Sequence, residues 1–251
     1  MKNFLLLMKL TKKYKHFFII GAQRSATTFL KKQLNKVPEI KMNINYKGEP
    51  KVFLKKNFSY STYIKTYFPK ISKKVVYLGE KSTSYYENIN CAKLIKKNFP
   101  NSIILCILRN PTMRAISNFY FSQKNNLENR NFNDAFKKKS FKNKFKTSVS
   151  PYSYIERGKY YSYLKHWKKI FKDKLIILIS EKAVSDSREI NKIFKKLNIK
   201  YRLKNGSLTL KKLKKYNDPK HLEVVKKLNK IYQKPNLKLG KEFNISLQHW
   251  T

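Results

Sequence analysis

The stretch from His16 to Leu34, HFFIIGAQRSATTFLKKQL, carries more of the architecture than any other part of the chain. It opens with an apolar run that halts at Gly21, and beyond the turn Phe29, Leu30 and Leu34 recur at helical spacing. The order is strand, tight turn, helix. Between the two elements, Gly21 to Leu30 (GAQRSATTFL) places a glycine, an arginine and several hydroxyl residues. Unpaired N–H groups at a helix start, with the positive end of the helix dipole, make such a turn a P-loop-like cradle for phosphate or sulfate. Ser25, Thr27 and Thr28 add hydroxyl donors, and Arg24 adds a fixed positive charge. The plainer reading is that Ser25 or Thr27 only caps the helix. A Walker A loop needs a second glycine followed by lysine. Ala26 and Thr27 stand at those places, which demotes a nucleoside triphosphatase.

Outward from this stretch the same alternation continues. VVYLG, Val75 to Gly79, is a second strand that runs into EKSTSYY, and Ile89 to Phe99 reads as an amphipathic helix ended by Pro100. Ser102 to Leu108, SIILCIL, is a continuous apolar run of the kind expected of a strand buried on both faces. Pro111 then opens a helix that carries Met113, Ile116 and Tyr120 on one side. A helix over Tyr160 to Phe171, a strand over Leu175 to Ser180, a helix over Glu181 to Leu197 and a last helix around Pro219 to Tyr232 follow, with a tail ending at Trp250. Two stretches lack this order. Val37 to Lys74 reads as loops and short helices, and Asn125 to Ser150 as a lysine-rich surface excursion with one short helix around Phe132 to Lys138.

Apolar strands alternating with helices predict an α/β fold in three layers, a mostly parallel central sheet flanked by helices. With no repeat and no linker, residues 1–251 are expected to form a single domain with its core over about 16–250. Ligands of such sheets bind where strands hand over to helices, so the ends at Gly21, Gly79 and Leu108 matter most.

Composition bounds the partners. Lysine and arginine number 58 against 14 acidic residues in 251, a formal charge of +44, which favours anionic partners without choosing among nucleic acid, glycan, a phosphorylated cofactor or an acidic membrane face. The lysines are spread along the whole chain. Cys91 and Cys106 sit in apolar stretches and read as buried thiols, and His16, His166, His221 and His249 form no pair with ligand spacing, so no metal is expected. Phe4 to Met8 is too short to span a bilayer and no small-residue cleavage site follows, so the expected protein is soluble and cytoplasmic.

The third strand end supplies a second anion grip. Arg109 closes the buried strand and Ser117 lies two turns into the next helix, an arginine and a hydroxyl that can hold a phosphate together. Gly21 to Thr28 resembles the 5′-phosphosulfate loop of the sulfotransferases, G-x-x-[RK]-[ST]-[GA]-T-T. ILRNPTMRAISNFY, Ile107 to Tyr120, resembles their 3′-phosphate motif, R-[DN]-P-x-x-R-x-x-S-x-[YF], with Arg114 read as a surface or helix-packing residue. Two such motifs in this order are far more specific than either alone.

Further stretches are similar to the heparan sulfate N- and 3-O-sulfotransferases and their bacterial relatives. Glu49-Pro50-Lys51-Val52-Phe53 resembles K-E-P-x-x-F with Gly48 in place of the lysine. GEKSTSYY, Gly79 to Tyr86, resembles G-E-K-[ST]-P-x-Y with Thr83 in place of proline. Arg157, Gly158, Tyr160, Leu164, Trp167 and Phe171 match a further pattern of the group. The group's paired cysteines and late lysine-glycine-arginine loop are not evident, and lysines between Lys211 and Lys215 are the candidates to replace that loop.

This resemblance implies 3′-phosphoadenosine-5′-phosphosulfate as donor, no metal, and an acceptor that is a glycan or glycolipid hydroxyl or amine. It implies Glu49 as general base, Lys81 and Arg24 on the bridging oxygen and 5′-phosphate, and Gly21, Ser25, Ala26, Thr27 and Thr28 around the 5′ end. Arg109 and Ser117 would hold the 3′-phosphate. No specific nucleic-acid partner is expected, while peripheral contact with an anionic membrane fits the charge. Two rivals stand beside it. One is a basic nucleic-acid-binding protein, favoured by the charge and 14% aromatic content but opposed by aromatics at core spacing. The other is a P-loop nucleotide kinase, which lacks an evident aspartate after a strand to hold magnesium.

Overall fold

The computed structural model describes residues 14–46, 48–55, 57–137, 153–204 and 219–250. Five strands make one parallel sheet: β1 (Lys15–Gly21), β2 (Ile40–Met42), β3 (Tyr77–Lys81), β4 (Ile103–Leu108) and β5 (Leu175–Ile179), in the order β2-β3-β1-β4-β5. Successive side chains of β1 enter opposite layers. Phe18 and Ile20 pack on one face with Ile95, Leu164 and Trp167, while Phe17 and Ile19 pack on the other with Leu30, Leu34 and Phe194. Three layers result because a central strand with both faces apolar must be covered twice.

The first layer holds α3 (Ile89–Asn98) and α6 (Tyr160–Phe171), and the second holds α1 (Thr27–Leu34) and α8 (Ser187–Lys196). Trp167 is fully buried and its indole Nε1 donates to the Tyr86 carbonyl at 3.0 Å. Burying about 200 Å² of aromatic surface at about 25 cal/mol per Å² contributes about 5 kcal/mol as an upper bound. A separate cluster joins α4 (Pro111–Lys124), α5 (Phe132–Ala135) and α9 (Leu222–Phe243) through Ile116, Phe119, Phe136, Leu228 and Tyr232.

Several boundaries differ from the sequence reading. The second strand begins at Tyr77 and runs on to Lys81, so Glu80 and Lys81 belong to the sheet. Within Val37 to Lys74 lie the strand β2 and the helix α2 (Tyr60–Tyr67). The segment from Glu181 to Leu197 is two helices, α7 (Ser180–Ala183) and α8, because the Asp186 side chain accepts from the Arg188 N–H and starts a new helix. The last helix begins at Leu222 and continues past Tyr232 and through Pro235 to Phe243. The short helix of the excursion ends at Ala135; Lys138 and the rest up to Ser150 lie outside the described residues, as do Lys47 and Lys211 to Lys215. Among the described residues no helix is long and apolar enough to cross a membrane, and Cys91 and Cys106 are free, buried thiols.

Candidate active site

The chain leaves β1 toward β2 and β3 on one side and returns to β4 and β5 on the other, so the crevice of the sheet opens at the carboxyl end of β1. β1 pairs directly with β4, Gly21 opposite Cys106, and the Ala22 N–H donates to the Ile107 carbonyl at 2.8 Å. The two strand ends expected to bind anions are therefore neighbours. Gly21 is needed for close approach, since a Cβ there would lie 2.6 Å from the ring of Tyr86.

The turn after β1 holds Arg24 at φ 67° and Ala26 at φ 62°, left-handed conformations that cost non-glycine residues about 1 kcal/mol or more each. Ala26 is the residue that caps α1, and no side chain caps the helix. The plainer reading, in which Ser25 or Thr27 serves as the cap, is thus not what the chain adopts. Ser25 is fully buried beneath the turn, Thr27 is buried and Thr28 is exposed. The Arg24 guanidinium leans onto α4: its Nε lies 3.4 Å from Ser117 Oγ, and its Cζ lies 4.5 Å from the centre of the Phe121 ring. One contact therefore ties the first predicted phosphate motif to the second. Arg109 and Ser117 are both buried, each 4% exposed, and the Tyr160 hydroxyl donates to the Arg109 carbonyl at 2.8 Å. Asn110 caps α4 by accepting from the Thr112 and Met113 N–H groups and donates to the Trp250 carbonyl.

A second cluster forms at the end of β3. Lys81 Nζ and Glu49 Oε1 are 2.6 Å apart, an ion pair with little solvent access. Glu49 also accepts from the Thr83 N–H at 2.9 Å and from the Thr83 hydroxyl at 3.0 and 3.1 Å. The Lys81 N–H donates to Asn43 Oδ1, and Asn43 extends the pairing of β2 by donating to the Gly79 carbonyl. Beside Glu49 a cavity of about 560 Å³ opens, with Tyr46, Lys51, Lys55, Asn57, Thr62 and Thr66 among its walls. A larger cavity of about 780 Å³, between the start of α4, α9 and the C-terminal segment, has none of the predicted site residues in its lining.

Some residues near these clusters escaped the sequence reading. Lys31 of α1 donates to Asn45 Oδ1 at 2.9 Å, and burial together with the nearby Lys81 charge pushes its pKa down to about 8. Gln23, inside the turn, accepts from Arg157 Nη1 at 2.6 Å, while Arg157 Nε is 3.2 Å from Glu87 and the Tyr86 hydroxyl donates to the Arg157 carbonyl. Burial raises the Glu87 carboxyl against the lowering pull of Arg157 and Arg114. Arg114 is fully buried and donates to the Tyr154 carbonyl, so of its two readings helix packing holds and surface exposure does not.

A model of the sulfotransferase domain matches residues 14–242. The chain belongs to the sulfotransferase family. Membership carries the reaction class of the family, transfer of a sulfuryl group to an acceptor. A stretch of 104 residues is 31% identical to the bifunctional heparan sulfate N-deacetylase/N-sulfotransferase 1 of Caenorhabditis briggsae, covering 40% of this chain and 12% of that much longer protein. In fold, the sulfotransferase is similar to a sulfotransferase from Alicyclobacillus acidocaldarius at a TM-score of 0.74 and 18% identity, over 94% of this chain and 98% of the other. The sulfotransferase domain of the Synechococcus PCC 7002 olefin synthase superposes at 0.55 and 14% identity, over 94% and 96%.

Proposed function

We propose that this sulfotransferase takes 3′-phosphoadenosine-5′-phosphosulfate as donor and sulfates a hydroxyl or amine of a saccharide or glycolipid. The observation that carries the donor reading is the contact of Arg24 with Ser117, which makes one crevice of the β1 turn and the start of α4. The residues fit a nucleotide with a phosphate at each end: an uncapped helix start with strained turn residues on one side, and a buried arginine and hydroxyl on the other. When bound, the donor supplies the sulfuryl group and a phosphate leaving group.

The chain's own groups divide the remaining work. The N–H groups at the start of α1, with Gly21, Ser25, Ala26, Thr27 and Thr28, hold the 5′ end, and Arg109 and Ser117 hold the 3′-phosphate. Arg24 lies between the two and serves either end by rotation of its side chain. Lys81 neutralises charge on the bridging oxygen, for which it must leave Glu49 Oε1. Glu49, then held by Thr83, takes the acceptor proton at its carboxylate. The acceptor enters from the cavity beside Glu49, where Lys51 and Lys55 suit an anionic saccharide and Tyr46 offers a ring face. The saccharide class is supported by the relative named for heparan sulfate. A cytoplasmic location belongs to the same reading and rests on the two free thiols.

Sulfur-labelled donor incubated with polysaccharide and lipid fractions of the host will label a saccharide-bearing fraction, and Glu49→Gln will lower that rate by about 10²-fold or more. Label confined to saccharide-free material would overturn the acceptor class, and a Glu49→Gln protein with most of its rate would remove the base.

A further inference from the structure

Glu80 precedes Lys81 in β3 and is fully buried. Taking a carboxyl group out of water is costly, and this one is surrounded by hydroxyls rather than by a cation. Its Oε1 accepts from the Ser82 hydroxyl at 2.6 Å and from the Tyr85 hydroxyl at 2.7 Å. Each hydroxyl in turn accepts a backbone N–H of the loop that carries Glu49: Ser82 Oγ from Lys51 at 2.9 Å, and Tyr85 OH from Phe53 at 3.2 Å. A hydroxyl has one proton to give. With both protons committed to Glu80, the lone pairs of Ser82 and Tyr85 must face the loop.

The loop needs that fixing. Lys51 sits at φ 50°, an unfavourable conformation for a lysine, and it lies between Glu49 and the point where Phe53 enters the core. Glu49 itself accepts from Thr83, between Ser82 and Tyr85, so the loop is tied to that stretch at a third point. We propose that Glu80 is a positioning residue for Glu49, acting through Ser82 and Tyr85 on the backbone of Lys51 and Phe53; the proposal rests on Glu49 being the base. Glu80 touches neither donor nor acceptor. It fixes where the Glu49 carboxylate stands relative to Lys81, so its loss is felt at that carboxylate and not at the nucleotide.

The test reads the carboxylate directly. In protein labelled with carbon-13 at the glutamate side-chain carboxyls, the Glu49 resonance is identified by its disappearance in Glu49→Gln. It is then followed in Glu80→Gln, Ser82→Ala and Tyr85→Phe, alongside calorimetric titration of 3′-phosphoadenosine-5′-phosphate and a thermal melt. The expected result is a displaced or doubled Glu49 resonance in the variants that fold, with nucleotide affinity within about 2-fold of the parent. Should Glu80→Gln fail to fold, Ser82→Ala and Tyr85→Phe each remove one relay and keep the carboxyl. A Glu49 resonance unmoved in every folded variant, with melting temperatures lowered, would make Glu80 a purely structural residue and overturn the proposal. The resonance is read without any turnover, so it separates this failure from that of the base, which the turnover of Glu49→Gln decides.

Discussion

Lys81 and Glu49 are engaged with each other at the end of β3, with Thr83 holding the carboxylate from the other side, whereas Arg109 lies buried at the end of β4, across β1. The two cations should therefore fail differently when removed. Arg109→Ala removes a charged donor from the proposed phosphate site, where a charge-assisted bond is worth about 1.5–3 kcal/mol, and is expected to weaken 3′-phosphoadenosine-5′-phosphate by roughly 10- to 100-fold in calorimetry. Lys81→Ala is expected to abolish sulfate transfer with a smaller effect on that affinity. Near-normal turnover of either folded variant would take that residue out of the site. Residue identity at both strand ends was legible because an arginine, a lysine and hydroxyls follow apolar runs at recognisable spacing. The pose of Arg24 against Ser117 and Phe121 was not, since it depends on two elements 93 residues apart meeting in space. Gln23 was missed for the same reason, its contact with Arg157, a residue read only as part of a family pattern, spanning 134 residues. Lys31 was hidden among many similar lysines, and only burial sets it apart.

Elements were most legible where the apolar pattern was long. The helix over Tyr160 to Phe171 and the strand ending at Leu108 appear as read. β2 has only three residues amid proline and glycine, too few for any period to show, and it exists because β3 offers it an edge. Pro235 stops a helix on local grounds, yet α9 continues because Leu239 is buried beyond it. The break at Asp186 did carry a signal, an aspartate followed three residues later by Glu189, the arrangement of a capping box. Caps make a prediction for α4: Asn110→Ala should cost about 1 kcal/mol in urea unfolding, since Asn110 accepts two N–H groups there, and an unchanged midpoint would mean that the cap contributes nothing. β1 makes another. Burial pushes the pKa of His16 down to about 3, so between there and 6.5 the unfolded chain binds a proton that the folded chain does not. Stability therefore falls as pH drops below 6.5, by about 1.4 kcal/mol per unit and so about 2 kcal/mol by pH 5. His16→Phe should lose that part of the acid dependence; an equal slope in both proteins would show that His16 is not its source.

At the scale of the whole molecule, a formal charge of +44 draws every anion, and the crevice between β1 and β4 must add discrimination to attraction. The two effects answer differently to salt. Lysines on the surface act through solvent, where screening sets in over about 10 Å at 0.1 M, and an oligonucleotide held by them loses affinity by orders of magnitude as its released counterions become less valuable. Arg109 and Ser117 are 4% exposed, and in the proposed pocket they would act on a phosphate at hydrogen-bond range, where screening is weak. The ratio of affinities for 3′-phosphoadenosine-5′-phosphate and 5′-AMP should consequently stay at about tenfold or more between 50 and 500 mM sodium chloride, while binding of a single-stranded oligonucleotide falls by about 10³-fold or more. Fluorescence competition at three salt concentrations measures all three ligands on one protein sample. A ratio that collapses toward one as the oligonucleotide is released would mean that the crevice reads charge alone, and the nucleic-acid reading would then account for the basic surface better than a sulfate donor does.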